Sequence, residues 1–465
     1  MARRRVAYAV KRVLMIASNT CQDPYPVYPL GASVVAGALR RAGYDVLVHD
    51  LSLGESKGRL ECVLSDFRPD FTGVSVRNVD NVDSLSAHSS WTGGLLRELV
   101  RRLKAASAAP VILGGPGFSL MPEELLDHTG ADYGVTGPGE DILPRLLDRL
   151  EAGETPPRIV SARASEFRSI AAAEWDHSIF PEYLRRGGVP GLHTKRGCPN
   201  ACLYCGYPVV EGAKVIHRDP LEVVEDMRRA RDSFGAREFF FTDAVFNDAG
   251  GGYLRLAETL AGADLGVAFS AYFQPSRLTS GELALLRRAG LKAVETGTDG
   301  CCDKTLAAMR KPHSLDEVFA FQELCHAQEV PCAHFVIFGG PGETMDTIEE
   351  GLANLDRFAG GCVFAFLGLR IHRGTGLYSL AVQEGLIEAD TPLLYPTFYH
   401  SPQLDPARAE DHLRRAFAGR RDRFFPPEEG NLRMQVLRRM GFSGLLWDTL
   451  PAFAAYGRDR NGARP

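Results

Sequence analysis

Short apolar runs, each closed by polar or glycine-rich residues and separated by stretches with helical spacing, recur in two blocks along the chain. In residues 1–155 the runs begin at Arg12, Tyr44, Asp70, Pro110 and Ala131. They are apolar on both alternating faces, as buried parallel strands are. Between the first two, Ala32 to Ala42 has helical spacing and Gly43 ends it. Such alternation predicts an α/β domain built on a doubly wound parallel sheet. Residues 156–187 read as an irregular linker rich in Ala and Pro, in which Trp175 fits core packing. Alternation resumes over residues 188–385, with one strand before Cys198 and further runs at Arg237–Asp243, Val267–Phe273, Lys292–Thr298, Cys332–Gly340 and Val363–Arg370. Six strand–helix units with polar strand ends predict a partial barrel whose chemistry lies at the carboxyl end. Residues 386–465 form a small helical C-terminal region on the substrate side. Its expected elements are an amphipathic helix from Pro406 to Phe424, one or two helices from Met434 to Ala455, and a frayed tail from Gly457 to Pro465. Tyr395, Phe398, Tyr399, Phe424 and Phe425 fit either a pocket wall or simple packing.

Composition narrows the setting. A formal net charge of −5 gives no footprint for a nucleic-acid partner. The basic start Arg3-Arg4-Arg5 is followed by no long apolar run, so neither a secretion signal nor a membrane span is expected. The ten cysteines are spread along a long chain without a signal peptide, which predicts a reducing, cytoplasmic location. Apart from one group of three, most read as small buried hydrophobes, while Cys301-Cys302 follows Gly300 in a predicted loop.

The other three stand together in Gly197-Cys198-Pro199-Asn200-Ala201-Cys202-Leu203-Tyr204-Cys205-Gly206-Tyr207. Three thiolates can hold three irons of a 4Fe-4S cluster and leave the fourth iron open to a chelating molecule. A structural zinc site needs four closed ligands, and the nearest candidates, His193 and His217, lie at unsuitable spacing. In the first block the strand ends carry Asn19-Thr20, Ser75 with Arg77-Asn78, Gly114-Gly115 with Gly117, and Gly137 with Gly139-Glu140. Doubly wound sheets bind ligands there, and glycines would let a bulky ligand approach the backbone. The first strand lacks the G-x-G-x-x-G of a dinucleotide site.

C-x-x-x-C-x-x-C with Tyr204 before the last Cys resembles the radical S-adenosylmethionine (SAM) superfamily. With the domain ahead of it, the chain resembles the cobalamin-dependent radical SAM enzymes. The pieces Tyr25-Pro26-Val27-Tyr28-Pro29-Leu30-Gly31, Ser75-Val76-Arg77-Asn78 and Gly114-Gly115-Pro116-Gly117 are most similar to its lipid-biosynthesis or ladderane-type branch. The resemblance implies a Rossmann-like cobalamin-binding domain followed by a TIM-type (β/α)6 radical SAM barrel. It places SAM against Tyr204, Gly206, Tyr207, Asp243, Ser270, Tyr272, Gln274, Glu295, Gly339, Gly340 and Arg370, and cobalamin against the strand-end residues of the first domain. Asp243 also fits a helix cap, Glu295 an ion-pair member, Gly339-Gly340 a plain turn, and His334 a core histidine. Arg370-Ile371-His372-Arg373-Gly374-Thr375 departs from the family's R-I-x-P-G-T, with Arg373 in place of Pro.

Many cobalamin proteins hold cobalt from below with the His of D-x-H-x-x-G, yet Asn19 to Gly31 contains no His. The expectation is cobalamin with its own base displaced and no His on cobalt, with Arg77 or Asn78 on the lower side. The activity implied is cleavage of SAM to a 5′-deoxyadenosyl radical, hydrogen abstraction from an unactivated carbon, and methyl transfer from methylcobalamin. Cyclisation or rearrangement without methyl transfer, or a non-catalytic regulatory protein, are the alternatives. The implied partners are a small-molecule substrate, apolar by the aromatics around it, and an electron donor such as flavodoxin or ferredoxin.

Overall fold

The computed structural model describes residues 10–54, 59–161, 170–276 and 278–450. The basic start and the expected tail from Gly457 lie outside them.

The first sheet holds β1 (Arg12–Ala17), β2 (Asp45–Asp50), β3 (Phe71–Ser75), β4 (Val111–Gly114), β5 (Tyr133–Thr136) and β6 (Ile159–Ser161), all parallel, in the order β2-β1-β3-β4-β5-β6. Alternate side chains of β1 serve different cores. Val13 and Met15 pack toward the helices Leu30–Arg41 and Gly139–Glu151, whereas Leu14 and Ile16 pack toward Gly93–Ala106 and Pro122–Thr129. Apolar residues at both parities are what a strand covered on both faces requires. Strand order reverses between β1 and β3, so a crevice opens at their carboxyl ends. β6 corrects the expectation of an irregular linker from residue 156. Its three residues follow Pro156-Pro157 and are too few to show a pattern.

The second sheet contains β7 (Gly191–Leu192), β10 (Glu238–Phe241), β11 (Ala268–Phe273), β12 (Leu291–Asp299), β13 (Cys332–Phe338), β14 (Cys362–Leu367) and β17 (Arg423–Phe424). Two small antiparallel pairs flank it: β8 (Lys195–Arg196) with β9 (Ile216–His217), and β15 (Leu369–Arg370) with β16 (Phe398–Tyr399). The large sheet is parallel and runs β17-β14-β13-β12-β11-β10-β7. Its two edge strands do not pair with each other, so the barrel is open. The six expected strands are present. A seventh comes from the region expected to be helical, because the helix stops at Phe417 and Gly419 turns the chain at φ +74°. Tyr399, Phe424 and Phe425 are buried, which gives them the packing role. No helix among the described residues is long and apolar enough to cross a membrane.

Three kinds of contact dock the domains. One apolar core runs from Val13 through Tyr28, Trp175 and Phe180 to Phe239 and Phe269, without a break at the domain border. Trp175 stacks on Phe180 at 4.7 Å and donates from Nε1 to the Asp226 carbonyl at 3.0 Å. Arg196 pairs with Glu140 across the border. Arg370, 4% exposed, donates from Nε to Asp80 Oδ2 at 3.0 Å and from its terminal nitrogens to the carbonyls of Ile371, Thr397 and Leu393. Stripping one partner from a buried pair leaves an uncompensated charge, at a cost of about 3–5 kcal/mol. Asp80→Asn therefore destabilises the protein by about 3 kcal/mol in chemical denaturation. The exposed-pair variant Glu98→Gln, which removes the partner of Arg101, leaves the denaturation midpoint unchanged, because solvent screens that pair.

Candidate functional site

The cysteine loop is held on every side but one. Gly197 has φ +86°, and a side chain there would put Cβ 2.1 Å from the Lys214 carbonyl, so only glycine fits. Cys198 N donates to the Gly212 carbonyl at 3.1 Å, and Leu203 N to that of Met309 at 2.9 Å. Asn200 Nδ2 donates to Gln274 Oε1 at 2.9 Å, tying the loop to the end of β11. The chain entering the loop is fixed by Asp243, 1% exposed, which accepts from Thr194 N at 2.8 Å, from Lys195 N at 3.1 Å and from the Thr194 hydroxyl. Asp243 is thus neither a helix cap nor a free polar group. It positions the strand that delivers Cys198.

The three thiols face one another closely enough to interact electrostatically. Burial pushes Cys205 up to about 11, and the neighbouring Cys202 and Cys198 add to the rise. Burial likewise raises Cys202, while the Lys311 ammonium opposes it. Burial alone would pull Lys311 down. Asp299 and Cys202 more than reverse this and hold the ammonium above its ordinary range. Asp299 in turn pairs with Lys311 and accepts from the Tyr204 hydroxyl at 2.5 Å. Among the described residues no three Cys, His, Asp or Glu side chains converge tightly enough for a single metal ion. His193 lies instead beside Thr242, and His217 beside Asp248. A closed zinc knuckle has no fourth donor. A cluster fits the donor set, because each thiolate takes a different iron and a nearby cation balances the charge.

The concave face of the barrel sheet is accessible. On β10 to β14 the outward side chains Phe239, Phe241, Ala271, Val294, Val336 and Ala365 are wholly buried under helices. The inward ones divide by depth: Ser270, Ala293, Ala333 and Phe364 are buried, whereas Phe240, Tyr272, Gly297, Phe335, Ile337 and Phe366 are only partly buried. Tyr207, 41% exposed, is reached by the charges of Glu211, Cys205, Arg77 and Asp243, so it borders both domains and open space at once. Tyr25 from the first domain leans toward Glu295 and Arg77. Arg77 is exposed and, among the described residues, takes part in no hydrogen bond or ion pair.

Other expected site residues are occupied. Arg370 spends its donors on Asp80 and three carbonyls. Glu140 is buried against Arg196. A Cβ on Gly115 would meet the Val76 carbonyl at 2.6 Å, and one on Gly117 the Asn78 backbone at 3.0 Å, so these glycines fit loop to loop and not loop to ligand. A Cβ on Gly206 would strike Leu120 of the first domain at 2.8 Å. Gly139 packs on Val35, and Gly137 N donates to Ser119 Oγ at 3.0 Å. Gly114 has ordinary room, its Cβ position lying 3.6 Å from the Val135 carbonyl. Asn19 is bonded to Cys21, and Asn78 donates to the Asp80 carbonyl. Thr20 is exposed and Ser75 half-buried at the strand ends. Gly339 needs its positive φ of +83°, and a Cβ on Gly340 would lie 3.3 Å from Met309 Sδ. His334 points to the helix side, bonded to Thr298 and Gln322, as a core histidine. Ser270 is wholly buried with an unpartnered hydroxyl.

Sequence reasoning missed Asp299, Lys311 and Trp447. Asp299 was within reach as the next inward residue but one beyond Glu295 on the same strand. Lys311, in Arg310-Lys311-Pro312, carries no local signal. Trp447 donates from Nε1 to Glu295 Oε1 at 2.8 Å from a segment 152 residues away.

Residues 22–147 match the family model of the B12 binding domain, and residues 192–353 that of the radical SAM superfamily. The chain belongs to the radical SAM superfamily, in the class that carries a B12-binding domain ahead of the radical SAM domain. Such a chain uses cobalamin in the first domain and a 4Fe-4S cluster with SAM in the second. It is similar to tryptophan 2-C-methyltransferase of Streptomyces laurentii, 26% identical over 78% of this chain and 74% of that one. It is also similar to cytidylyl-2-hydroxyethylphosphonate methyltransferase of Streptomyces wedmorensis, 22% identical over 87% and 89%. The fold matches the radical SAM methyltransferase TsrM of Kitasatospora setae with a TM-score of 0.83, 23% identity, and coverage of 98% of this chain and 100% of that one.

A fixed ammonium beside the cluster favours its more negative, reduced form. Lys311→Met therefore moves the cluster's reduction potential in the negative direction, while Lys311→Arg stays near wild type, as read by redox titration with electron paramagnetic resonance.

Proposed function

We propose that this protein is a cobalamin-dependent radical SAM C-methyltransferase acting on a small molecule. The observation that carries this reading is that Arg77 at the end of β3, Tyr207 just after the cysteine loop and Tyr272 with Glu295 on the barrel sheet are within electrostatic reach of one another across the domain border. Both similar relatives named above are methyltransferases, which favours methyl transfer over cyclisation or rearrangement. Their substrates, tryptophan and a cytidylyl phosphonate, have little in common, so neither is carried over.

When bound, the cluster supplies an electron to SAM and methylcobalamin supplies a methyl group. The chain's own part is positional. Cys198, Cys202 and Cys205 hold three irons, and Lys311 with Asp299 sets the charge beside them. Tyr204, Tyr207 and Tyr272 wall the space between cluster and first domain. Arg77 stands at the end of β3 with its guanidinium unengaged and extends toward Tyr25, Tyr207 and Tyr272. Arg77 would face a corrin bound there, beside Asn78, whose Nδ2 donates to the Asp80 carbonyl. A guanidinium is a poor metal donor, so Arg77 would hold the corrin by charge and hydrogen bonding and would supply no strong ligand to its metal. Flavodoxin or ferredoxin, in the cytoplasm, would serve as electron donor.

The test is reconstitution with cobalamin, iron, sulfide, SAM and a strong reductant. The expected result is 5′-deoxyadenosine together with a product heavier by one CH₂ unit and two SAM consumed per turnover. A product of unchanged mass overturns the methyl-transfer reading. In the cobalt(II) protein the expected spectrum shows no splitting from an axial nitrogen, and such splitting would overturn the base-displaced, His-free reading.

A further inference from the structure

On the barrel's inner face stands a buried carboxylate, Glu295, which the resemblance puts at SAM and whose surroundings suit a different ligand. Glu295 lies on the inward side of β12, beside Tyr272 of β11 in register. Asp299, four residues further along the strand, is the acid at the cluster. Asp299 and Lys311 reach back to within 3.9 Å of the Cβ position of Gly297, so Glu295 sits two residues, roughly 7 Å, deeper than that pair. Neither the cluster thiols nor Lys311 contributes to its electrostatics. This depth removes it from the cysteine loop and places it among Phe240, Tyr272 and Trp447.

Its surroundings do not balance its charge. Glu295 is 6% exposed, and its one hydrogen bond among the described residues comes from Trp447 to Oε1. Oε2 has no protein donor. Lys292, the cation on the same strand, is committed to Glu238 at 3.1 Å and Asp448 at 2.9 Å. Burial consequently pushes Glu295 up to about 7, with Trp447 offsetting only part of the rise. An unpaired buried carboxylate is costly, and a structural role would be served as well by Gln. Nearby, Ser270 keeps a second polar atom without a partner. The walls are aromatic, and ring faces attract cations. A mostly apolar cavity with one placed polar group is the usual form of a small-molecule site, the polar group fixing orientation.

We propose that Glu295 is the substrate's anchor and that the substrate carries a protonated amine on an aromatic or apolar body, whose ammonium donates to Glu295 Oε2. This rests on the inner face being the substrate site of the proposed function. It replaces a wholly apolar substrate with an amphipathic, cationic one. Trp447 is the positioning residue, since its indole N–H fixes Oε1 and leaves Oε2 without a donor among the described residues.

The test uses the full chain loaded with cobalamin and cluster, without reductant, so that it does not depend on methyl transfer. The probes are 2-phenylethylamine and tryptamine, each against its alcohol analogue, with binding read by titration calorimetry or ligand-observed NMR. Wild type should bind the amines at least tenfold tighter than the alcohols. Glu295→Gln should abolish that preference while retaining cobalamin and iron, and Trp447→Phe, which frees Oε1, should reduce it without abolishing it. Equal binding of amine and alcohol to wild type, or an unchanged preference in Glu295→Gln, overturns the proposal. Loss of cobalamin from Glu295→Gln with the amine preference intact also overturns it and gives the carboxylate to the corrin amides. Failure of the methyl-transfer reading would appear separately, as a product of unchanged mass with the amine preference intact.

Discussion

Arg370 and Arg196 can be buried only where Asp80 and Glu140 meet them, and both acids belong to the other domain. A guanidinium taken out of water without a partner costs several kcal/mol. The two domains are therefore stable in one mutual arrangement, and a slide of either leaves charges unpaired. The shared apolar core holds the domains together, but such a core tolerates small shifts. The ion pairs do not, because a hydrogen-bonded pair loses its partner over about an ångström. The ends of β3 and the cysteine loop consequently face each other across a fixed gap, which is what transfer between two cofactors demands.

The barrel sheet separates stability from function by parity. Side chains of one parity close under helices, and those of the other face inward, buried toward the amino ends of the strands and partly open toward the carboxyl ends. This explains how Asp299 and Glu295 share a strand face yet meet different surroundings. One lies at the rim beside Lys311 and three thiols, and the other lies deep among rings. A carboxylate with an ammonium beside it is already neutralised and can tune a cluster. A carboxylate without one is held ready for a charge that arrives with a ligand.

The strand–helix rhythm made both sheets legible in the sequence, since a buried parallel strand needs apolar residues at both parities. Short edge strands escaped it. Ile159–Ser161 and Arg423–Phe424 have too few residues to show a period, and they join their sheets only because a neighbouring edge is available. The cysteine spacing was legible because the ligands are close in sequence. The roles of Arg370, Glu140 and Asp243 were not, because their partners lie 290, 56 and 49 residues away. The glycines at 115, 117 and 206 read as room for a ligand. The neighbours that need that room, Val76, Asn78 and Leu120, are protein atoms that only the folded chain brings near.

The corrected roles converge on one requirement. Asp243 holds the entry to the cysteine loop, Gln274 holds Asn200 within it, and Met309 and Leu377 hold Leu203. Each is a backbone or side-chain clamp spent on the loop itself. The family's polar strand ends thus divide into residues that keep the loop still and residues that meet what binds to it. A site that must leave one iron open cannot rely on that iron's ligand for rigidity. The surrounding strands must supply it, and in this chain they do so with buried carboxylate and amide groups fully engaged before any cofactor arrives.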